Sequence, residues 1–261
     1  MKIKPIKNRS QLADYFHQDI ILHLYSLGDL DDFYWPNTSY YGIQTSKGID
    51  KVVLLYQGEG LPILLALSKP GELDEEYIAE LVQIIPPRVY AHLSPGLEDI
   101  FSKTHSMITH GSHYKMGLVD YSQIEEINIT NIVPITENDL AELQFLYQIS
   151  YPGNAFDPRM ILTGQYFGYR MNNRLLSVGG VHVYSPAYRV AGLGNITTHP
   201  DFRNQGFGRA VTAKLCLSLR DKVDVIGLNV KQDNQAALRV YQSLGFNISV
   251  EYGEFSLEKR L

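Results

Sequence analysis

Apolar residues recur along this chain at helical and at strand spacing, and the two patterns alternate from end to end. Residues 10–25 carry apolar side chains at roughly helical intervals, with Ser10 as the predicted N-cap. The stretch "KVVLLYQGEGLPILLALS" predicts two strands joined by a Gly-Glu-Gly turn. A helical segment, a strand and a short helix follow, and residues 105–119 are predicted to be extended.

The second half begins with a clear helical pattern, and helical and strand patterns again alternate along it. Thr136 and Asp139 predict a capped helix start, and Asn172-Asn173 predicts a hairpin turn between two strands. The strand "RVAGLGNITT", a helix, the strand "VDVIGLNV" and a well-capped helix follow. A last pair of strands, "FNISVEY" and "GEFSLEKR", is predicted at the end.

The 261 residues are enough for one large domain or two ordinary ones. The stretch 120–133, "YSQIEEINITNIVP", carries few apolar residues apart from isolated isoleucines. We therefore predict a boundary near residue 127, with an α/β domain at 1–127 and a second domain at 128–261.

The amino-acid composition indicates a folded protein and excludes some classes of partner. A hydrophobic content of 44% with 20% charged residues is typical of a folded chain, and the net charge of −5 argues against a nucleic-acid partner. The single cysteine, Cys216, lies among leucines and predicts a core position in a reducing compartment. The most apolar stretch, 61–68, is too short to span a bilayer, so we expect a cytoplasmic protein without a membrane partner.

The stretch "HPDFRNQGFGRA", residues 199–210, almost fits several phosphate-binding loops. A Walker-type loop fails because Arg209 and Ala210 stand where it needs Lys followed by Ser or Thr. A dinucleotide fingerprint fails because Val211 occupies its small sixth position and no tight turn precedes it. The pattern Arg/Gln-x-x-Gly-x-Gly/Ala fits without adjustment and predicts an anion site at the start of a helix.

Elementary chemistry supports that third pattern. The first turn of a helix has unpaired N–H groups and a partial positive charge, which suit a pyrophosphate. Glycines at 206 and 208 remove the Cβ atoms that would hold phosphate oxygens away. Downstream, "NVKQDNQAALRVYQSLGF" predicts a capped helix with Asn234 and Tyr241 on one face.

The combination of "NITTHPDFRNQGFGRAV" and "LNVKQDNQAALRVYQSLGF" resembles the acyl-CoA-binding core of the GNAT superfamily of N-acyltransferases. The resemblance covers residues 130–255 and is closest to the glycine-N-acyltransferase-like branch. It implies an α+β GNAT fold, a mixed and mostly antiparallel twisted sheet flanked by helices. The first half is compatible with a degenerate second copy, which implies two tandem GNAT-like domains with no CoA site in the first.

The resemblance also implies acetyl-CoA as cofactor and assigns its contacts. Tyr241 is expected to donate a proton to the departing thiolate, a role that an ordinary phenol pKa near 10 permits. A main-chain N–H at a bulge in the strand is expected to polarise the thioester carbonyl. The expected cofactor-binding residues are Ile196, Thr197, Thr198, Arg203, Asn204, Gln205, Gly206, Phe207, Gly208, Arg209, Asn234 and Tyr241.

The implied reaction is direct transfer of an acyl group, acetyl in the first instance, to a primary amine. Related proteins often carry a glutamate on the bulged strand as base, whereas this strand offers Asn195 and Thr197. His182 on the preceding strand is the first candidate for the base, with Glu251 and Glu254 as further candidates.

The acceptor is expected to be a small molecule, an amino acid or a peptide amine, and the acidic net charge favours a cationic one. Tyr151, Asn154 and Phe156 stand where related proteins place a loop over the acceptor. A homodimer is a candidate assembly. The histidines at 105, 110 and 113 lack the spacing and companion cysteines of a zinc site, so we expect no metal and regard them as exposed residues.

A protein of another class fits the same CoA motifs, namely a non-catalytic sensor that binds acyl-CoA. An enzyme differs from a sensor in needing a proton donor such as Tyr241 and a route for the amine proton.

Overall fold

The computed structural model describes residues 2–58 and 60–260. In chain order the helices are α1 (Arg9–Phe16), α2 (Leu24–Gly28), α3 (Glu75–Leu81), α4 (Leu97–Phe101), α5 (Ser122–Glu125), α6 (Leu140–Ser150), α7 (Phe207–Leu219) and α8 (Gln235–Gln242). The strands are β1 (Lys4–Pro5), β2 (Thr38–Thr45), β3 (Gly48–Tyr56), β4 (Ile63–Ala66), β5 (Arg88–Leu93), β6 (His105–Leu118), β7 (Ile132–Pro134), β8 (Phe167–Met171), β9 (Arg174–Ser185), β10 (Val190–Thr198), β11 (Val225–Lys231) and β12 (Phe246–Lys259). Within the described ranges no helix is long and apolar enough to cross a membrane.

The chain divides into two compact units, each made of more than one segment of the sequence. Unit 1 comprises Met1–Lys115, Lys231–Asp233 and Ser249–Leu261. Unit 2 comprises Met116–Val230 and Asn234–Ile248. The domain boundary near residue 127 stays a prediction; residues 116–127 belong to unit 2 in this division.

Unit 1 is a sheet with strand order β1-β2-β3-β4-β5-β12-β6. The β4–β5 pair is parallel, and β5 pairs with β12 antiparallel. One face of the sheet packs against α3 and α4 in a core that includes Leu64, Ile78, Leu81, Val89 and Phe101. Burial of this apolar face is the main force that holds the unit together.

Two details of the first helix differ from the sequence patterns, and one predicted turn cannot be compared. The first helix is capped by Asn8, which accepts a hydrogen bond from the Gln11 N–H, so the prediction of Ser10 was wrong. That helix ends at Phe16 and passes into a 3₁₀ turn over His17–Asp19, so the predicted helical run to residue 25 is not continuous. The predicted turn between β3 and β4 contains Glu59, which lies outside the described residues.

The predicted last pair of strands is one continuous strand, β12. Gly253, where the two predicted strands were to part, stays in register opposite Leu93 of β5. A glycine weakens a strand without necessarily ending it, and here the pairing with β5 continues through Gly253.

Unit 2 has strand order β11-β10-β9-β8-β7, with β10 and β11 parallel and the other pairs antiparallel. The hairpin prediction is confirmed, since Asn172 and Asn173 have φ values of 50° and 60° between β8 and β9. The capping box at Thr136 and Asp139 is also confirmed, although it opens a 3₁₀ turn that leads into α6. Helix α7 packs on β8, β9 and β10 through a buried stripe, which includes Cys216 as predicted.

Candidate functional site

Strands β10 and β11 separate part of the way along their length. Their parallel pairing runs from Val190–Val225 to Leu193–Leu228 and ends there, although β10 continues to Thr198 and β11 to Lys231. Main-chain groups beyond residue 193 on this side of β10 are therefore released from the ladder. A wedge lined by main-chain donors and acceptors opens between the two strands.

The wedge begins at a β-bulge in β10. On the side facing β9, Gly194 pairs with Gly180 and Thr197 with Val178, so Asn195 and Ile196 oppose a single residue. Asn195 adopts a left-handed conformation with a φ of 54°. An asparagine tolerates this conformation better than most residues, so the sequence itself supports the bulge at this position.

Two buried tyrosines hold the bulge residue. The hydroxyl of Tyr147, on α6, donates to the Asn195 carbonyl at 3.0 Å, and the Asn195 Nδ2 donates to the Tyr166 hydroxyl at 3.0 Å. The ring of Tyr166 lies directly on Gly180, where a Cβ would stand 2.2 Å from its Cζ atom. The bulge is thus fixed from both sides, which gives its main-chain groups a single orientation.

The N-terminus of α7 lies after the end of β10 and has the features of an anion site. Gly206 precedes the helix with a φ of 82°, no side chain caps the helix start, and its first turn contains no acidic residue. The space that a Cβ at Gly206 would enter is empty for 4 Å, while one at Gly208 would meet the Thr198 hydroxyl at 3.3 Å. Arg209 lies in the first turn, where a helix normally favours an anion over a cation.

The two arginines here are oriented by main-chain carbonyls. Arg203 donates from Nε to the Thr198 carbonyl at 3.4 Å and from Nη2 to the Ser150 carbonyl at 3.2 Å. Arg209 donates from Nη2 to the Ser243 carbonyl at 3.4 Å, and its buried Nε has no partner among the described residues. Neither guanidinium is paired with a carboxylate through these bonds, so both retain charge for an anionic ligand.

A buried polar atom without a partner supports a ligand site at the same location. The Asn229 Oδ1, on β11 one residue past the last paired position, is buried without a hydrogen-bond partner among the described residues. A buried acceptor of this kind costs about 1–3 kcal/mol unless a ligand or water supplies a donor. The uncapped helix, the two arginines and this acceptor fit a phosphate-bearing ligand with amide groups, as CoA is.

The remaining residues predicted to contact CoA fall into three settings. Thr197 is buried and its hydroxyl donates to Ser150 at 3.0 Å, while Thr198 bonds to the Ser177 hydroxyl at 2.9 Å. Phe207 stacks on Tyr169 with ring centroids 4.1 Å apart. The others are Ile196, half-buried in the bulge, and Asn204 and Gln205, both exposed before α7.

Helix α8 carries the last two predicted contacts. Asn234 is its N-cap and accepts from the Ala237 N–H at 3.1 Å, as predicted, and Gly245 ends the helix in a left-handed conformation. Tyr241 is buried, which raises its pKa well above 10, and the phenol of Tyr151 raises the pKa further. Tyr241 is therefore protonated at neutral pH, and it is a weaker acid than an ordinary phenol.

His182 lies in a second irregularity of the β9–β10 ladder, because Gly192 pairs with Val183 and Leu193 with Val181. Its ring fills the space beside Gly194, where a Cβ would stand 1.8 Å from the imidazole Cδ2. The ring is half-buried and adjoins the residue that precedes the bulge.

The two glutamates considered as bases lie in unit 1. Glu251 is exposed on β12. Burial raises the pKa of Glu254, but His92, His113 and the hydroxyls of Tyr90 and Tyr252 outweigh it and lower the net pKa. A carboxylate with so many donors is a weak base.

The predicted acceptor residues lie together at the C-terminus of α6. Asn154 and Phe156 line a cleft of about 330 Å³ with Tyr147, and the Phe156 ring lies 5.2 Å from the Tyr147 ring. Asn154 bonds within its own loop, donating to the Tyr151 carbonyl and accepting from the Phe156 N–H. Tyr151 is 43% exposed beside this cleft.

The three histidines of β6 do not form a metal site among the described residues. His105 is buried and the other two are half-buried, so the expectation that they are exposed was wrong. Each has a polar partner: Thr104 for His105, Ser256 for His110 and the Gly111 carbonyl for His113.

Sequence reasoning missed Tyr147, Tyr166 and Asn229 as site residues. In the sequence Tyr147 falls at helical spacing with Leu143, which predicts only a place on the apolar face of α6, and its hydroxyl contact became visible only in the fold. Asn229 had a signal, since a lone amide in the apolar strand "VDVIGLNV" needs a partner that the sheet does not supply.

Comparisons with known proteins agree with this geometry. Residues 134–246 match the model of the Acetyltransferase (GNAT) family. A stretch of 58 residues is 43% identical to the [Ribosomal protein bS18]-alanine N-acetyltransferase of Escherichia coli strain K12, which is 22% of this chain and 39% of the relative. The chain thus spans well under half the length of the curated relatives it matches.

Solved structures resemble the whole chain. An acetyltransferase from the GNAT family of Colwellia psychrerythraea covers 100% of both chains with a TM-score of 0.60 at 16% identity. A tandem GNAT protein from the clavulanic acid biosynthesis pathway covers 99% of this chain and 98% of its own, with a TM-score of 0.54 at 13% identity. At these identities the likeness shows the fold alone, which is the GNAT fold. The particular resemblance to the glycine-N-acyltransferase-like branch stays a prediction.

Proposed function

We propose that this chain, whose residues 134–246 match the model of the Acetyltransferase (GNAT) family, moves an acetyl group directly from acetyl-CoA to a primary amine. The observation that carries the proposal is the parting of β10 and β11 at Leu193 and Leu228, with a bulge on one side and an uncapped helix start beyond it. An extended ligand with an anionic end fits such a wedge.

The residues around the wedge would hold CoA through groups of different kinds. Main-chain groups of Ile196–Thr198 would bond to the amides of the pantetheine arm, since they are free of β11. The N–H groups at the start of α7 would bind the pyrophosphate, with Arg203 and Arg209 supplying charge. Asn234 stands exposed at the start of α8 for a further contact.

The thioester supplies an acyl carbon that an amine can attack. The main-chain N–H at the bulge of Asn195 and Ile196 would bond to the carbonyl oxygen as negative charge grows on it. Removal of one such donor from an enzyme typically costs about 10²–10³-fold in rate. The tyrosines at 147 and 166 hold this bulge in place.

Tyr241 would donate a hydrogen bond to the departing sulfur. Because burial raises the pKa of this phenol, proton transfer requires a sulfur that is itself desolvated and strongly basic. His182 would accept the proton of the attacking amine, since its ring adjoins Gly194 at the bulge. The attack forms a C–N bond, breaks the C–S bond, and leaves the amide and the free thiol.

The test has two parts. Calorimetric titration measures the binding of acetyl-CoA and CoA, and an assay of thiol release measures turnover with amino acids, polyamines and short peptides as acceptors. We expect binding and amine-dependent thiol release, with release lowered about 10²-fold or more in Tyr241→Phe while binding persists. The control is Tyr41→Phe, a tyrosine of β2. Tight binding without turnover on any amine would favour an acyl-CoA sensor, and absence of binding would refute the assignment of Arg203 to Gly208. Acceptor identity and a homodimer stay predictions.

A further inference from the structure

The side-chain oxygen of Asn195 is buried and has no hydrogen-bond partner among the described residues. The residue is only 3% exposed, and it lies in the bulge of β10 at which the proposed reaction would occur. Folded chains rarely leave a buried acceptor unsatisfied, so this atom calls for a specific cause such as a ligand. The left-handed main chain of the same residue is a second unfavourable feature, and such features cluster at functional sites.

The hydrogen bonds of Tyr166 determine which end of the Asn195 amide lacks a partner. The Tyr166 hydroxyl directs its single proton toward acceptors of its own, the Val181 carbonyl and the Met160 Sδ, each at 3.4 Å. Its oxygen therefore accepts from the Asn195 Nδ2 at 3.0 Å, and the Oδ1 is the atom left over. A ligand that satisfies this atom must supply a hydrogen-bond donor.

The Asn195 acceptor belongs to the same bulge as the main-chain N–H that would bond to the thioester carbonyl. That N–H comes from Asn195 or Ile196, which together oppose a single residue of β9. A nitrogen that attacks the carbonyl carbon held there lies within a residue's length of the Asn195 side chain. The attacking amine is therefore the donor closest to this acceptor during the proposed reaction.

The proposed base lies on the same face of the sheet as the Asn195 side chain. Gly180 and Gly194 are directly paired across β9 and β10, so Cβ atoms at the two positions would point to one face. The Tyr166 ring occupies that face at Gly180, and the His182 ring occupies it at Gly194. Tyr166 in turn accepts from Asn195, so the imidazole and the amide adjoin the bulge from one side.

Two hydrogens of a neutral primary amine match these two side chains. As the C–N bond forms, His182 takes one hydrogen as a proton, while the other stays on the nitrogen and is donated to the Asn195 Oδ1. The nitrogen carries positive charge until that proton leaves, and hydrogen bonds from a charged donor are the stronger ones. A side-chain amide is not a base at neutral pH, so Asn195 orients the nitrogen without taking its proton. A secondary amine has a single hydrogen for both groups.

We infer that Asn195 is a further catalytic residue, whose side-chain oxygen accepts a hydrogen bond from the attacking nitrogen and makes the reaction selective for primary over secondary amines. The amide formed from a primary amine keeps the N–H that bonds to Asn195, and the departing sulfur receives the proton of Tyr241. This inference rests on the proposed acetyl transfer and names the residue that selects its substrate class.

The test compares primary amines with their N-methyl derivatives. One pair is methylamine and dimethylamine, and the other is the primary amine used best among the amino acids, polyamines and short peptides, with its N-methyl derivative. Thiol release from acetyl-CoA gives kcat/KM for each amine, and calorimetry with CoA shows that each variant keeps its cofactor site. We expect the natural chain to prefer the primary amine of each pair by at least about tenfold, as one hydrogen bond from a charged donor supplies.

Three variants of Asn195 separate hydrogen bonding from steric exclusion. Asn195→Leu has a side chain of similar shape that accepts no hydrogen bond, and Asn195→Gly removes the side chain while tolerating the left-handed main chain. The preference for the primary amine should fall about tenfold in both variants while CoA still binds. Asn195→Asp keeps an acceptor and should keep the preference. A fall in Asn195→Gly alone would mean that the side chain merely excludes the extra methyl group, and would overturn the inference.

Tyr166→Phe is the matched control, because it removes the partner of the Asn195 Nδ2 and leaves the Oδ1 in place. It should slow thiol release with both amines of a pair alike and leave their ratio unchanged. Equal use of primary and secondary amines by the natural chain, or a ratio that neither Asn195→Leu nor Asn195→Gly changes, would refute the role of Asn195 and leave acetyl transfer standing. Absence of thiol release with every amine would refute the transfer itself, and the selectivity with it.

Discussion

The hydroxyl of Tyr147 donates a hydrogen bond to the main-chain carbonyl of Asn195 across 3.0 Å. Tyr147 belongs to α6 and Asn195 to the bulge of β10, so the bond joins the cleft side of unit 2 to the wedge. Asn195 has a left-handed main chain, and this hydrogen bond helps to keep it in one orientation.

Tyr147→Phe is expected to lower kcat while leaving the affinity for CoA unchanged. Loss of one buried hydrogen bond should reduce the free energy of unfolding by about 1 kcal/mol. The loosened bulge should lower kcat by up to about tenfold, since 1.4 kcal/mol of transition-state stabilisation is a factor of ten. Steady-state kinetics and urea denaturation measure the two effects.

The matched control is Tyr169→Phe, whose hydroxyl accepts, among the described residues, only from the exposed side chain of Asn131 at 3.2 Å. This control should retain the kcat of the natural chain. An unchanged kcat in Tyr147→Phe would show that the bond does not orient the bulge.

Gly206→Ala is expected to weaken CoA binding about tenfold or more, because the new Cβ enters the space over the first N–H groups of α7 and disfavours the left-handed φ of 82°. Strain alone should cost about 1–2 kcal/mol of unfolding free energy. Calorimetric titration with CoA and thermal unfolding separate the two effects.

Gly71→Ala supplies the control for strain, since Gly71 has a φ of 80°, an equally open surrounding and a place in unit 1. Its stability loss should match that of Gly206→Ala, and its CoA affinity should not change. If both variants bound CoA with the natural affinity, α7 would not be the anion site.

Gly180→Ala is expected to destabilise unit 2 by about 1–3 kcal/mol, because its Cβ would overlap the Tyr166 ring at 2.2 Å. Displacement of this ring should also disturb the hydrogen bond between Tyr166 and Asn195 and lower kcat. Denaturant unfolding and thiol release measure the change.

Gly153→Ala, with no atom within 4 Å of the added Cβ, should leave stability nearly unchanged. The double variant Gly180→Ala/Tyr166→Leu should recover part of the stability that Gly180→Ala loses, since the smaller side chain makes room. Failure of this recovery would mean that the ring is not what Gly180 accommodates.

The pH dependence of stability is expected to depend on Lys115 of β6. Burial lowers the pKa of its amine from 10.5 to about 7, although Glu254 and Asp19 act in the opposite direction. The unfolded chain therefore binds more protons than the folded chain between pH 7 and 10.5, and the free energy of unfolding rises with pH across that window.

Lys115→Met should remove this contribution. Relative to the variant, the free energy of unfolding of the natural chain should rise by at most about 1.4 kcal/mol per pH unit between pH 7 and pH 10. Denaturant unfolding at several pH values measures the gain, with the exposed Lys47→Met as control. Parallel stability profiles for the natural chain and Lys115→Met would contradict the lowered pKa.

The sequence by itself determined the local elements of unit 2 and the loop and helix start that we propose as the anion site. Helix caps, the Asn172-Asn173 hairpin and the glycines at 206 and 208 each act within a few residues. Their effects can therefore be predicted from the local sequence. The buried stripe of α7 likewise follows from helical periodicity, since Val211, Leu215 and Leu219 recur every four residues in the sequence.

Only the tertiary structure decided which distant residues share the site. The contacts of Tyr147 and Tyr166 with Asn195 join residues separated by 48 and 29 positions, and no local pattern encodes such a separation. The continuity of β12 across Gly253 likewise depended on the neighbouring strand β5. Periodicity states which face of an element is buried, whereas the partner that covers this face is chosen by the packing of the whole chain.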